Sequence, residues 1–208
     1  MYFAENFQCQ SIRWLLQLQP WYKCATNLPP IWNFYENLGT RKVIFVANHR
    51  SNLDTFILIS HIPGLRGLAK KSIYYNIFFA PFMMVNGFIP VAKGNVSSFV
   101  QGLQQLKIKI LDLDRPVLVF PETTRCLKNF SGVQKFSPSV FQIAMDSQAT
   151  VVPIVIKDSD QTMGRGDFLL KPFQKMEVIM LQQISTAHFS DSKLLSDHVS
   201  ELIMKELS

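Results

Sequence analysis

Val43-Ile-Phe-Val-Ala-Asn48-His49-Arg50-Ser51-Asn52-Leu53-Asp54 runs five apolar residues straight into a polar turn. That is the pattern of a buried strand whose end delivers polar groups. If Ser51 or Asn52 caps a helix beginning there, Asp54 falls in its first turn and reaches back to His49. A carboxylate on one imidazole nitrogen fixes the tautomer and leaves the other nitrogen free to take a proton. His49 is therefore read as a base and Asp54 as its orienting partner. Taken alone, Asp54 would also suit any helix N-terminus, where acidic residues meet the positive end of the dipole.

A second stretch strengthens the pairing. Pro116-Val-Leu-Val-Phe120-Pro121-Glu122-Thr123-Thr124-Arg125 is another apolar run ending in a carboxylate, two hydroxyls and a guanidinium. In an open α/β sheet, two such strands place their polar ends in one crevice at the carboxyl edge. The rest of the chain supports that architecture. Thr55–Ser60 and Pro138–Asp146 read as helices, Leu65–Ala69, Thr150–Ile156 and Met176–Leu181 as strands, and Asp158–Gly166 as a polar loop. From a cap at Asn95, Val96, Phe99, Val100, Leu103, Leu106, Ile110 and Leu113 recur at helical spacing and are expected in the core. A last helix from Ser190 is expected to turn Leu194, Leu195, Val199, Leu202, Ile203 and Leu207 inward. Strands alternating with helices predict an α/β fold, a mixed, mainly parallel sheet flanked by helices.

Composition narrows the partners. Hydrophobic residues make up 48% of the 208 residues and charged residues only 17%, below the roughly 25% usual for soluble domains. A formal charge of +6 calls for an anionic partner. No nucleic-acid-reading motif is present, so a membrane surface and phosphorylated ligands are expected, and no nucleic acid. Cys9, Cys24 and Cys126 lie far apart and read as reduced thiols of a cytosolic compartment. His49, His61, His188 and His198 have no ligand spacing, so no metal is expected.

Residues 1–40 are rich in aromatics and broken by Pro20, Pro29 and Pro30. A Ser11–Leu18 helix carrying Arg13 and stopping at Pro20 is too short to span a bilayer; it suits the membrane interface, or packing on the domain. The uncharged run Ser72–Ala92 is long enough to span, but Asn76, Pro81, Asn86, Gly87 and Pro90 interrupt it. A greasy helix or helix pair lining an acyl-chain groove, or dipping into the bilayer, is the alternative. The chain is thus expected at the cytoplasmic face of a membrane without a transmembrane helix.

Four ordered blocks resemble the phospholipid and glycerolipid acyltransferases, whose best-known members acylate lysophosphatidic acid. They are Asn48-His49-x4-Asp54, Gly87-Phe88-Ile89-Pro90-Val91-Ala92-Lys93, Phe120-Pro121-Glu122-Thr123-Thr124-Arg125-Cys126 and Val151-Val152-Pro153-Ile154. The resemblance implies a catalytic domain over 41–208 behind an interfacial segment, 1–40. It implies transfer of a fatty acyl group from acyl-CoA or acyl carrier protein, as co-substrate rather than cofactor, to a lysophosphatidate-like lyso-lipid acceptor. His49 would deprotonate the acceptor hydroxyl and Arg125 would grip its phosphate with a bidentate fork. Lys93 would add charge, Glu122 would contact the hydroxyl or organise the site, and Thr123 and Thr124 would donate hydrogen bonds.

Departures from the family pattern keep alternatives open. Lys93 stands where the family usually has Arg, Cys126 where it has Ser, and Ser137-Pro138-Ser139 where a Gly is expected. Thr123 replaces a Gly, implying that the backbone there avoids φ > 0 or that the turn is rearranged. A different lyso-lipid head group, a thioesterase or acyl-enzyme route through Cys126 or Ser51, and a non-catalytic lipid-binding protein are the competing readings.

Overall fold

The computed structural model describes residues 2–17, 23–75, 77, 80–92, 94–112, 115–126, 130, 132–167, 171 and 173–208. Its centre is β2, Val43–Ala47, with all five residues buried. Val43, Phe45 and Ala47 belong to one core cluster, Ile44 and Val46 to another. A strand apolar on both faces must be covered on both, which is why its sequence shows no polar alternation.

Around β2 the seven strands run in the order β1-β7-β6-β2-β5-β3-β4: β1 is Lys23–Thr26, β3 Arg66–Lys70, β4 Ile89–Val91, β5 Val117–Val119, β6 Thr150–Lys157 and β7 Lys175–Met180. Every pairing is parallel except β6 with β7. The mixed, mainly parallel sheet expected from the sequence is therefore present. Its edge strand β1 was not foreseen. Lys23-Cys-Ala-Thr has no apolar pattern of its own and is held by its pairing with β7.

One face is covered by α1 (Tyr2–Gln17), α2 (Phe34–Leu38), α3 (Asp54–Ile59) and α4 (Ala80–Val85). The other carries α5 (Val96–Asp112), α6 (Pro138–Asp146) and α8 (Ser192–Leu207), while α7 is a short turn of helix over Ser159–Met163. Caps define several of these. Asn95 accepts from the Ser98 amide at 2.8 Å, as expected, and Asp191 accepts from the amides of Lys193 and Leu194. Pro138 opens α6 from the first turn, where its missing N–H has no partner to lose.

Several expectations are corrected. Within residues 1–40, β1 is an unexpected strand of the sheet, Phe34, Tyr35 and Leu38 are core residues, and buried Glu5 binds Arg41 at 2.8 Å and also Arg115. The first helix begins at Tyr2, packs through Cys9 and Ile12 and leaves Phe7 and Trp14 exposed. Val100 and Leu194 point to solvent, each one position off its helix's buried stripe. The Asp158–Gly166 loop contains α7. Leu113 lies outside the described residues. Among the described residues no helix is long and apolar enough to cross a membrane.

Candidate active site

The carboxyl ends of β2, β3, β4 and β5 meet over one cavity of about 600 Å³. Its lining includes His49, Lys70, Thr123 and Arg125 beside apolar side chains such as Phe56, Met83, Phe99 and Leu118. That volume lies within the roughly 300–1,000 Å³ range of small-ligand sites. A second hollow of about 550 Å³ opens around Thr150, Ile184, His188 and His198 and holds none of the site residues.

His49 Nδ1 lies 2.9 Å from Asp54 Oδ2, and Asp54 is fully buried. An ionised carboxylate only accepts, so Nδ1 carries the proton and Nε2 keeps its lone pair. The Phe120 ring stacks on the imidazole with 4.1 Å between centroids, so the ring is held from the side as well. Asp54 Oδ2 also accepts from the amides of Arg50 at 2.7 Å and Ser51 at 2.8 Å. The carboxylate thus fixes the turn and the imidazole together. Neither Ser51 nor Asn52 caps the helix. Leu53 precedes α3 without a side-chain cap, and Ser51 Oγ instead accepts from the Leu53 amide at 3.1 Å.

Glu122 is buried and does not line the cavity. Oε1 accepts from the His49 amide at 2.8 Å; Oε2 accepts from the Gln134 amide at 2.9 Å and the Cys126 thiol at 2.8 Å. The Cys126 amide in turn donates to the His49 carbonyl at 2.9 Å. Of its two expected roles, the geometry supports organising the site. Asn48, for which the sequence suggested no role, locks β2 to β6 by accepting from the Ile156 amide at 2.7 Å and donating to its carbonyl at 2.9 Å.

Arg125 is half-buried in the cavity wall, and among the described residues no carboxylate is bonded to its guanidinium. Burial and the neighbouring Arg165 push its pKa below the ordinary value, with Asp54 opposing. A desolvated cation beside a second cation favours an anionic ligand. Arg165 was missed in the sequence because it lies in a different loop; it reaches the site by donating to the Arg125 carbonyl at 3.3 Å. Thr123 lines the cavity, whereas Thr124 is not in its wall. Lys93 lies outside the described residues.

Thr123 has φ +58°, so the backbone does not avoid the left-handed region, and a β-branched residue occupies the place of glycine. Left-handed backbone costs an L-residue about 1–2 kcal/mol. Thr123→Gly is therefore expected to raise the unfolding free energy by about 1 kcal/mol, net of glycine's extra chain entropy. A denaturant titration checks it, and a loss of stability would contradict the strain.

The proposed nucleophiles are otherwise engaged. Cys126 is buried, and burial together with Glu122 pushes its thiol up to about 11, so the thiolate is scarce near neutral pH. Ser51 Oγ donates to the Met163 carbonyl at 2.5 Å and accepts from the Leu53 amide. Cys126→Ala should keep most turnover in a thioester assay. Loss to background with an unchanged melting temperature would revive an acyl-enzyme.

Comparison with known proteins identifies the family and the fold. The family model described as Acyltransferase matches residues 27–157, covering both site loops. A 1-acyl-sn-glycerol-3-phosphate acyltransferase of Saccharomyces cerevisiae is 30% identical over 164 residues, covering 76% of this chain and 52% of that protein. One from Chlamydomonas reinhardtii is 28% identical, covering 77% and 46%. The chain thus spans about half the length of these curated relatives. The crystal structure of the 1-acyl-sn-glycerophosphate (LPA) acyltransferase PlsC from Thermotoga maritima shares the fold, with a TM-score of 0.78 at 18% identity over 98% of this chain and 80% of that one. With a family match over most of its sheet and an Asp-oriented histidine at the sheet's carboxyl edge, this chain belongs to the Acyltransferase family.

Proposed function

We propose that the chain transfers a fatty acyl group from a thioester, carried by CoA or an acyl carrier protein, to the hydroxyl of a lysophosphatidate-like lyso-lipid. The observation that carries this reading is the Asp54-oriented His49 sharing an apolar cavity with Arg125. His49 Nε2 takes the hydroxyl proton as the oxygen attacks the thioester carbonyl. The tetrahedral intermediate collapses with loss of the thiolate, and the imidazolium returns the proton to sulfur. No cofactor enters these steps. Arg125 fixes the acceptor phosphate through two parallel bonds, and Thr123 offers its hydroxyl from the same wall.

A membrane surface is the proposed setting, at its cytoplasmic face. Tyr75, Ile77, Met84 and Val85 are between 66% and 81% exposed, beside the cavity-lining Ile73 and Met83 and next to Lys70 and Lys71. Such a patch suits an anionic bilayer, with lipids entering where the surface is already apolar.

The test is a matrix of acyl-CoA and acyl carrier protein donors against lyso-lipids of different head groups, run with wild type and Arg125→Lys. Labelled phosphatidate is the product expected from wild type. Because charge-assisted bonds are worth about 1.5–3 kcal/mol, Arg125→Lys should raise KM for lysophosphatidate about tenfold or more, with little change for neutral acceptors. An equal loss on both acceptor types would remove the phosphate role.

A further inference from the structure

Arg125, the clamp proposed for the acceptor phosphate, has a second guanidinium beside it. Arg165 lies between α7 and β7, is exposed, and donates from Nη1 to the Arg125 carbonyl at 3.3 Å. Among the described residues no carboxylate pairs with either guanidinium, and Arg165 stands close enough to push the Arg125 pKa down. Two like charges held together repel, and an anion seated between them reverses that cost. The segment carrying Arg165 is tied to the turn that carries the base. Ser51 Oγ donates to the Met163 carbonyl at 2.5 Å, and Arg50 Nη1 lies 3.8 Å from Asp160 Oδ2. On the other side of Arg165, Asp167 Oδ2 accepts from the Gly164 amide at 3.0 Å, and Gly166 turns the chain at φ +92°, where glycine is favoured. Arg165 is thus held from both sides, against the two residues that follow His49 and against the backbone of Arg125.

We propose that Arg165 is a specificity-determining residue of the transfer: with Arg125 it grips the acceptor's phosphate, and the pair selects a lyso-lipid ending in a phosphate monoester over one whose phosphate is a diester. This deepens the transferase reading above and rests on it. A phosphate monoester carries about −1.5 to −2 charges near pH 7 and three terminal oxygens, enough to engage both guanidinium groups. A diester carries a single negative charge and fewer free oxygens, so one fork satisfies it and the second cation stays uncompensated. Arg125 lines the cavity and Arg165 does not, so the phosphate meets Arg125 from the wall and Arg165 from the solvent side.

The experiment measures kcat and KM for lysophosphatidate and for lysophosphatidylglycerol with the same acyl chain, in neutral mixed micelles, for wild type, Arg165→Gln and Arg165→Lys. Gln still has an N–H for the Arg125 carbonyl but carries no charge, so it separates recognition of the phosphate from support of the loop. A charge-assisted contact is worth about tenfold or more in affinity. Arg165→Gln should therefore raise KM for lysophosphatidate about tenfold and KM for the diester less than about twofold, with the loss in KM rather than kcat. Arg165→Lys keeps the charge without the fork and should recover part of the monoester preference. The role of Arg165 is overturned if wild type shows no preference for the monoester, or if Arg165→Gln raises both KM values alike, lowers kcat for both acceptors or changes neither. A rise in KM for acyl-CoA instead would assign the cation to the donor and overturn it as well. Wild type that acylates neither lyso-lipid from acyl-CoA or acyl carrier protein contradicts the transferase itself, whereas wild type that transfers normally while Arg165→Gln leaves the KM ratio unmoved contradicts only the role of Arg165.

Discussion

His49→Ala is expected to lower turnover by about 10²–10⁴-fold, the usual worth of a positioned general base, while the protein stays folded. Stability should survive because the backbone of His49, not its ring, joins the two site loops. Its amide donates to Glu122 and its carbonyl accepts from Cys126. Asp54 keeps the amides of Arg50 and Ser51 when the ring is gone. The variant gives up the stacking on Phe120 and the bond to Asp54. Turnover measured beside a thermal melt separates chemistry from folding. A variant that melts with the wild type but keeps its rate would mean that another group takes the proton.

The largest loss of stability is expected at Glu122. Glu122→Ala leaves the amides of His49 and Gln134 and the Cys126 thiol without an acceptor, in a position only 4% exposed. Each orphaned buried group costs about 1–3 kcal/mol, so the variant should lose about 3 kcal/mol or more. For a chain of this length that lowers Tm by about 10 °C. Turnover should fall as well, because Glu122 sets the position of the His49 backbone. Glu122→Gln should recover part of the stability, since its carbonyl oxygen can serve one amide but its NH₂ faces donors. An unchanged Tm in Glu122→Ala would show that these bonds do not hold the loops together.

What the sequence reveals and what it hides follow from the range of the interactions. His49 and Asp54 are five residues apart, and the strand before them is apolar throughout, so local pattern carries both the strand and the pairing. The tasks of Glu122 and Asn48 depend on groups far away in the chain: the His49 amide 73 residues before Glu122 and the Ile156 backbone 108 residues after Asn48. Composition carries no trace of such contacts. Arg165 is hidden for the same reason, reaching the site from a loop 40 residues beyond Arg125. β1 is invisible because an edge strand needs only backbone donors and acceptors, and Lys23-Cys-Ala-Thr has no face to bury. At Thr123 steric preference argued against φ > 0, yet the turn is anchored by Glu122 and by the Thr123 amide donating to the Phe120 carbonyl at 3.0 Å. Tertiary bonds outweighed the local cost. Val100 and Leu194 are a smaller case: each extends an apolar stripe that is wider than the face its helix buries.

The central claim is that His49 activates an acceptor hydroxyl rather than water. The measurement that tests it most directly is thiol release from a long-chain acyl-CoA, with and without lysophosphatidate, in wild type and His49→Ala. The account predicts release that requires both the acceptor and His49. Equal release by wild type without any acceptor would contradict it and identify a thioesterase instead.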